Sequence, residues 1–414
     1  MLTRRTLLGT TAVGTAAATL PATDAAARKR LTLPAWRYGA NSVADDTVLM
    51  FRGNGPHTFY GTGPIPETKP EIKWRFRTAV IRNRVRGTAI TWAGTGWTGT
   101  AVKIGDYVFV GSVGGYVYAF DAASGKLMWR LKGGGMFKGS LCAFENRLYI
   151  GNTDNLLRCI NAETGRTVWR VDTGRDLDSS PCVIDGRLYI AGENGNLRAM
   201  NPRTGKQIWR RFVGGIGPGT RPGSNGSETS PAVADGEVYT ATYDGILWSV
   251  DAKTGAVRWK ASTGDDTDAS PVIYDEFVYA AAEEKAPFVH CFAREDGKKL
   301  WSYDNKARAY FSTPAIVDDR IYVGADDGRL HCINARTGKP IWQFQTRAAV
   351  WSSPCVVDGK VIFGSRDFHL YCLDATDGRE VWKVRLDGRI ISSPCIVDGV
   401  TYIGTATGFF YAVG

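Results

Sequence analysis

The sequence predicts an all-β fold, an eight-bladed β-propeller of four-stranded antiparallel blades, on three observations. A twelve-residue phrase, YAFDAASGKLMW at 118–129, returns as RCINAETGRTVW (158–169), RAMNPRTGKQIW (198–209), WSVDAKTGAVRW (248–259), HCFAREDGKKLW (290–301), HCINARTGKPIW (331–342) and YCLDATDGREVW (371–382). Its closing tryptophans stand 40, 40, 50, 42, 41 and 40 residues apart. A period near 40 containing several short strands marks a propeller blade. Finally, the two ends are complementary: EIKWRFRT (71–78) is a strand without a unit, and ISSPCIVDGVTYIGTATGFFYAVG at the end is a unit with three strands and no fourth. Pairing them closes the ring and removes two open sheet edges. Fourth strands then carry Trp74, Trp129, Trp169, Trp209, Trp259, Trp301, Trp342 and Trp382, which makes eight blades.

In chain order, residues 1–27 read as a twin-arginine-type signal peptide. Arg4 and Arg5 in T-R-R-T-L-L lead into LLGTTAVGTAAATL and the small-residue cleavage site Ala25-Ala26-Ala27. That apolar run is too short and too weak to span a bilayer. The expectation is an exported protein, periplasmic or extracellular, that does not cross the membrane. Residues 28–66 form an N-terminal arm in which Pro and Gly break any period, read as an ordered wrap; His57 lies here with no partner in sequence. The propeller occupies 67–414.

Each repeat has the same anatomy. In WSSPCVVDGKVIFGSRDFHLYCLDATDGREVWKV (351–384), an apolar run ends at Asp358-Gly359, a hairpin turn, and VIFGS makes the second strand. A turn at Arg366-Asp367 leads to HLYCLDA, and Asp377-Gly378 turns into EVWKV. The strands alternate in polarity, as half-buried antiparallel strands do. The Asp of the phrase can bond turn amides and the Gly supplies positive φ. The Trp is placed in the wedge between neighbouring blades, where a large apolar area is most effective.

Composition bounds the partners. The formal charge of +10 falls to 46 basic against 40 acidic side chains once residues 1–30 are set aside, and much of that excess sits at turn positions such as Lys126, Arg166, Lys206, Lys339 and Arg379. This reads as a solvated rim, and no nucleic-acid-binding module is present. Of the eight cysteines, Cys142, Cys182, Cys355 and Cys395 share one repeat position and Cys159, Cys291, Cys332 and Cys372 another. Both positions are elsewhere held mostly by small residues, so free, buried thiols are expected. No C-x-x-C occurs, which argues against zinc.

The phrase Asp/Asn-Ala-x-Thr/Ser-Gly-x-x-x-Trp resembles the pyrroloquinoline-quinone (PQQ) repeat shared by quinoprotein dehydrogenases and the outer-membrane assembly factor BamB, and the likeness covers about 70–414. The resemblance implies the propeller and either of two activities. One is a non-catalytic binding or scaffold module for a protein or cell-envelope partner on the loop-rich face. The other is a PQQ- and Ca²⁺-dependent dehydrogenase of alcohols or sugars. Against the second, the adjacent cysteine pair that covers the quinone in such alcohol dehydrogenases is absent; against close kinship with BamB, the leader lacks a lipid-accepting cysteine.

Loops that lead into the innermost strands open on the channel mouth. Aligning the repeats on S-S-P-C places one residue per blade there: Thr98, Lys138, Asp178, Glu228, Asp268, Phe311, Trp351 and Ile391. Asp178, Glu228 and Asp268 thus put carboxylates on three successive blades beside Lys138, an oxygen-donor set suited to Ca²⁺. Asp265 and Asp266 can add further oxygens. Tyr310, Phe311 and Trp351 face them as an aromatic arc, to which Trp97, with Trp92, is added as mouth lining. The insertion 211–227, RFVGGIGPGTRPGSNGS, runs directly into Glu228 and reads as a lid or partner-contact loop.

Overall fold

The computed structural model describes residues 31, 47–85, 88–94, 99–214, 226–283, 288–304, 306 and 311–414, with the side chains of 82–93 excepted. Residues 1–27, read above as a twin-arginine-type signal peptide, lie outside the described residues. Eight four-stranded antiparallel sheets form the ring. Seven are continuous: blade one at 102–132, then 142–172, 182–212, 232–262, 272–303, 315–345 and 355–385. In the eighth, Ile72–Arg77 pairs with Phe409–Val413, setting Trp74 opposite Ala412 and Arg75 opposite Tyr411. The tail borrows its outer strand from the front of the chain, as the ends of the sequence imply.

The tryptophans dock between blades. Each indole N–H donates to a carbonyl in the turn of the next blade, from Trp74 to Ala122 (2.8 Å) and Trp129 to Ala162 (2.9 Å) round to Trp342 and Ala375 (3.2 Å). The turn glycine lies under the ring: a Cβ on Gly165, whose φ is +66°, would sit 2.6 Å from Trp129. At the closing seam there is no repeat turn for Trp382, and Pro66 of the arm supplies the carbonyl at 2.8 Å.

A second girdle runs nearer the axis. The backbone N–H of Thr100 donates to the Ser140 hydroxyl, Ser140 to Ser180, and so on through Ser230, Ser270, Thr313, Ser353 and Ser393, at 2.8–3.2 Å. The Ser or Thr two residues before the inner strand is thus a blade-to-blade tie. All eight cysteines are free and buried. Burial pushes the Cys142 thiol up to about 12 and that of Cys159 to about 11, so they serve as small core residues.

Two features are not periodic. A hairpin, Val80–Val85 with Thr88–Ala93, stands between the closing strand and blade one. Its base abuts the turn after the second strand of blade one, where Val113 N–H donates to Gly94 at 3.1 Å. The arm, meanwhile, runs inside the ring. The inner strands are three residues long and present open edges to the bore, and the arm pairs with them in turn. Val48 exchanges backbone bonds with Lys103 (3.0 Å each), Leu49 accepts from Ala143 (2.7 Å), Gly55 from Val233 (2.8 Å) and Pro56 from Ile273 (3.0 Å). Met50 joins the core around Ile184, and Tyr60 Oη accepts from Ile316 N–H at 2.7 Å. Arg52 donates to the carbonyls of Pro314 (2.6 Å) and Pro354, and Thr62 donates to Ile396 (3.1 Å). All eight blades touch this one segment.

Candidate functional site at the channel mouth

The arm gives the bore a floor, so the mouth is a cup. Its walls come from two loops per blade that one backbone bond holds together. The first residue of each pair below lies in the turn after the second strand, and its N–H donates to a carbonyl in the loop that leads into the inner strand. The pairs are Thr153 to Met136 (3.0 Å), Glu193 to Asp176 (3.1 Å), Tyr243 to Gly226 (3.1 Å), Glu283 to Asp266 (2.8 Å), Arg366 to Ala349 (3.0 Å) and Ala406 to Arg389 (2.9 Å). The repeat therefore delivers two side chains per blade to the rim.

Blades three to five make the acidic side. Carboxylate oxygens of Asp178, Glu193 and Glu228 come within 4.8 Å of one another, and those of Asp266, Asp268 and Glu283 do the same. The three acids read from the sequence as one metal set are thus divided: Asp178 and Glu228 share a cluster with Glu193, and Asp268 belongs to the other. Each cluster combines loop and turn residues, which the one-residue-per-blade alignment could not see. Asp265 and Asp266 lie half-buried beside Asp268. Glu193 and Glu283 were missed, although they share one repeat position, two residues past the second strand's small residues.

Lys138 tempers the first cluster. Its ammonium is buried in contact with a carboxylate oxygen of Asp178, one blade on. Glu193 is only 8% exposed, and its Oε1 has no hydrogen-bond donor. Burial first, then the charges of Asp178 and Glu228, raise the Glu193 carboxyl far above its ordinary value. Asp176 is raised as well, chiefly by burial. Such a cluster can hold a cation or an ammonium group, because the acids gain a counter-charge that Lys138 only partly provides.

Blades six to eight make the opposite side. Phe311 is buried and meets Trp351 edge-on, with ring centroids 5.6 Å apart. The Arg366 guanidinium lies over the Trp351 ring at 3.9 Å. Burial, then the charge of Arg389, lowers the Arg366 pKa, which places two cations at this rim. Ile391 is half-buried beside them. Trp97, Thr98 and Tyr310 lie outside the described residues, as do 215–225 of the insertion and the side chain of Trp92.

A quinone with its Ca²⁺ finds a divided fit here. Asp178, Glu193 and Glu228 could supply oxygen ligands, but one face of the Trp351 indole is already covered by a guanidinium. All eight cysteines are buried within the blade strands, and none of them adjoins another in sequence to cap a quinone.

Among the described residues, no helix is long and apolar enough to cross a membrane. Comparison with known proteins places the chain. It is similar in structure to BamB from Moraxella catarrhalis, with a TM-score of 0.64 at 16% identity, over 82% of this chain and 99% of that one. The quinohemoprotein alcohol dehydrogenase from Comamonas testosteroni superposes with a TM-score of 0.74 at 15% identity, over 90% and 81%. At these identities the likeness is one of fold. In sequence, 89 residues are 33% identical to the 1-butanol dehydrogenase (cytochrome c) of Thauera butanivorans; the match spans 19% of this chain and 13% of that enzyme. The family described as outer membrane protein assembly factor BamB matches residues 71–303, 285–370 and 358–413. With that match running through every blade, this chain belongs to the BamB-type family of PQQ-like repeat propellers.

Proposed function

We propose that this protein is an exported binding module that holds a protein partner of the cell envelope on its loop-rich face, over the channel mouth. The observation that carries the reading is the polarity of the cup. Asp178, Glu193, Glu228, Asp268 and Glu283 occupy one side, and Arg366, Arg389, Trp351 and Phe311 the other. A rim with separated charges fixes the orientation of a partner and repels wrong ones, while aromatic and Arg groups anchor it. The arm, bonded to the inner strands beneath this face, gives a docked partner a fixed base. The family description, outer membrane protein assembly, agrees with such a role.

The second reading is a PQQ- and Ca²⁺-dependent dehydrogenase of alcohols or sugars. What favours it is the pair of carboxylate clusters at the mouth, which have the spacing to share a cation. One experiment separates the two. Purified protein is given PQQ and Ca²⁺ and assayed with an artificial dye acceptor over a panel of alcohols and sugars. In parallel, a photo-crosslinker is placed at Ile391 on the mouth or at Asp235 on the far side, in living cells. The binding reading expects no dye reduction and a discrete adduct from position 391 alone. Turnover that is lost in Asp178→Asn would replace it with the second reading.

A further inference from the structure

On the outer side of blade three lies a cleft of about 400 Å³, bordered by Asp172, Thr173 and Gly174 at the end of blade two and by Arg198, Gln207 and Arg210 of blade three. Arg198 and Arg210 stand directly opposite each other on the third and fourth strands. Like charges so placed repel. Arg198 is 6% exposed, and its guanidinium donates only to neutral acceptors, the Thr173 carbonyl at 2.9 Å and Asn194 Oδ1 at 3.4 Å. Neither arginine is paired with a carboxylate among the described residues. Asp172, the one acid on the border, accepts from the Gly174 N–H at 2.8 Å. Burial, then Arg210, pulls the Arg198 pKa down to about 10, the direction expected of a cation short of counter-charge.

The other blades serve as internal controls. The repeat position of Asn194 is aspartate in blades two, four, six and seven: Asp154, Asp244, Asp327 and Asp367. In blade two the same arrangement of arginines recurs, with Arg158 opposite Arg170, and Asp154 clamps Arg158 through both guanidinium nitrogens. Asp327 meets His331 at 3.3 Å, and Asp367 accepts from Tyr371 Oη at 2.7 Å. Blade three keeps the buried arginine and replaces its acid with an amide.

We propose that this cleft is an oxyanion-binding site, in which Arg198 and Arg210, with Asn194 standing where the sister blade has Asp154, take the phosphate or carboxylate group of an anionic ligand. The planar guanidinium of Arg198 offers a fork of donors for such a group, and Arg210 closes over it from the exposed strand. The site lies on the outer flank of the turn whose Glu193 belongs to the acidic cluster, and it offers cations where the mouth offers acids.

The test uses the full chain at constant ionic strength, with potassium phosphate titrated against potassium chloride and the melting temperature read by calorimetry. Glycerol 1-phosphate and glucuronate are run as further arms, to tell a phosphate from a carboxylate ligand. Phosphate or glucuronate should raise the melting temperature by about 2 °C or more over chloride. Asn194→Asp should abolish that response while raising the melting temperature in chloride, because it restores the internal clamp. Arg210→Gln, at an exposed position, should weaken the apparent affinity about fivefold or more. The proposal is overturned if neither anion acts beyond chloride, or if Asn194→Asp responds as fully as the parent chain.

Discussion

The ammonium of Lys138 on blade two lies against the carboxylate of Asp178 on blade three, and both are buried. They hold the same repeat position 40 residues apart, so the pair crosses a blade seam at the lip of the cup. Removing one partner of a buried pair leaves an uncompensated charge, which generally costs about 3–5 kcal/mol. Here Glu228 crowds the same spot and adds repulsion, while Glu193 keeps its proton. Lys138→Met should therefore lower stability by about 3 kcal/mol or more near pH 7, read as a fall in the urea midpoint at unchanged slope. Asp178→Asn in the same background should restore part of the loss. Equal midpoints for the parent chain and Lys138→Met would show the pair to be idle.

Glu193 makes the cup pH-sensitive. Its folded carboxyl is raised well above the ordinary value of 4.5, by burial and by the charges of Asp178 and Glu228. The folded chain thus keeps a proton that the unfolded chain gives up, and stability falls as pH rises from about 4.5 toward the raised value. Glu193→Gln mimics the protonated form and removes that dependence. Stability curves of parent and variant should converge near pH 5 and separate toward pH 8, with the variant more stable. The measurement is chemical denaturation at closely spaced pH values; a variant that is destabilised equally at every pH would refute the assignment.

How much of this was legible beforehand follows from what repeats. The docking tryptophans, the turn glycines and the exchange of a strand between Ile72–Arg77 and Phe409–Val413 are periodic, or are gaps in a period, and so stand in the sequence. The rim was half legible. Aligning on S-S-P-C found Lys138, Asp178, Glu228, Asp268, Phe311 and Trp351, but one position per blade misses Glu193, Glu283 and Arg366, which a neighbouring turn brings alongside through a backbone bond. One position per blade therefore joins Asp268 to Asp178 and Glu228, whereas with the turn residues the carboxylates fall into two clusters. The arm was illegible for a different reason. Its partners are eight separate blades, five met by backbone bonds from Lys103 to Ile396 and three by the side chains of Met50, Arg52 and Tyr60, and no pattern within 47–62 announces such a path.

The glycine of the repeated phrase offers a test with a built-in control. Gly165 and Gly186 have similar positive φ values, +66° and +70°. A Cβ at Gly165 would lie 2.6 Å from the Trp129 ring, whereas at Gly186 it would meet nothing within 4 Å. Gly186→Ala should cost about 1 kcal/mol, the backbone strain alone. Gly165→Ala should cost about 2–3 kcal/mol, because the indole must also leave its seat. The difference in melting midpoints between the two variants measures the docking of one blade on the next. Equal costs would mean that the tryptophan adapts freely.

The arm carries the last prediction, because its own histidine is a buried group held neutral. His57 is 1% exposed, its Nδ1 lies 2.8 Å from the Pro271 carbonyl, and its ring meets Phe51 edge-on at 5.3 Å. The tautomer with hydrogen on Nδ1 donates to that carbonyl without carrying charge. Burial lowers its pKa from 6.5 to about 4, helped by the nearby Arg52 cation. The unfolded chain therefore binds a proton before the folded chain does, and stability contributed by neutral His57 is lost as pH falls from about 6.5 toward 4. A shift of this size corresponds to about 3 kcal/mol at the acid end. His57→Gln, which keeps a side-chain N–H for Pro271 and cannot charge, should lose up to 2 kcal/mol near pH 7.5 yet unfold less readily than the parent relative to that starting point as the pH drops to 4.5. Hydrogen exchange at Val233, Ile273 and Ile316, whose amides the arm accepts, should report the same release in the parent chain. If those amides stay protected at pH 4.5 in the parent as well as in His57→Gln, the arm is held by its backbone and by Arg52 alone.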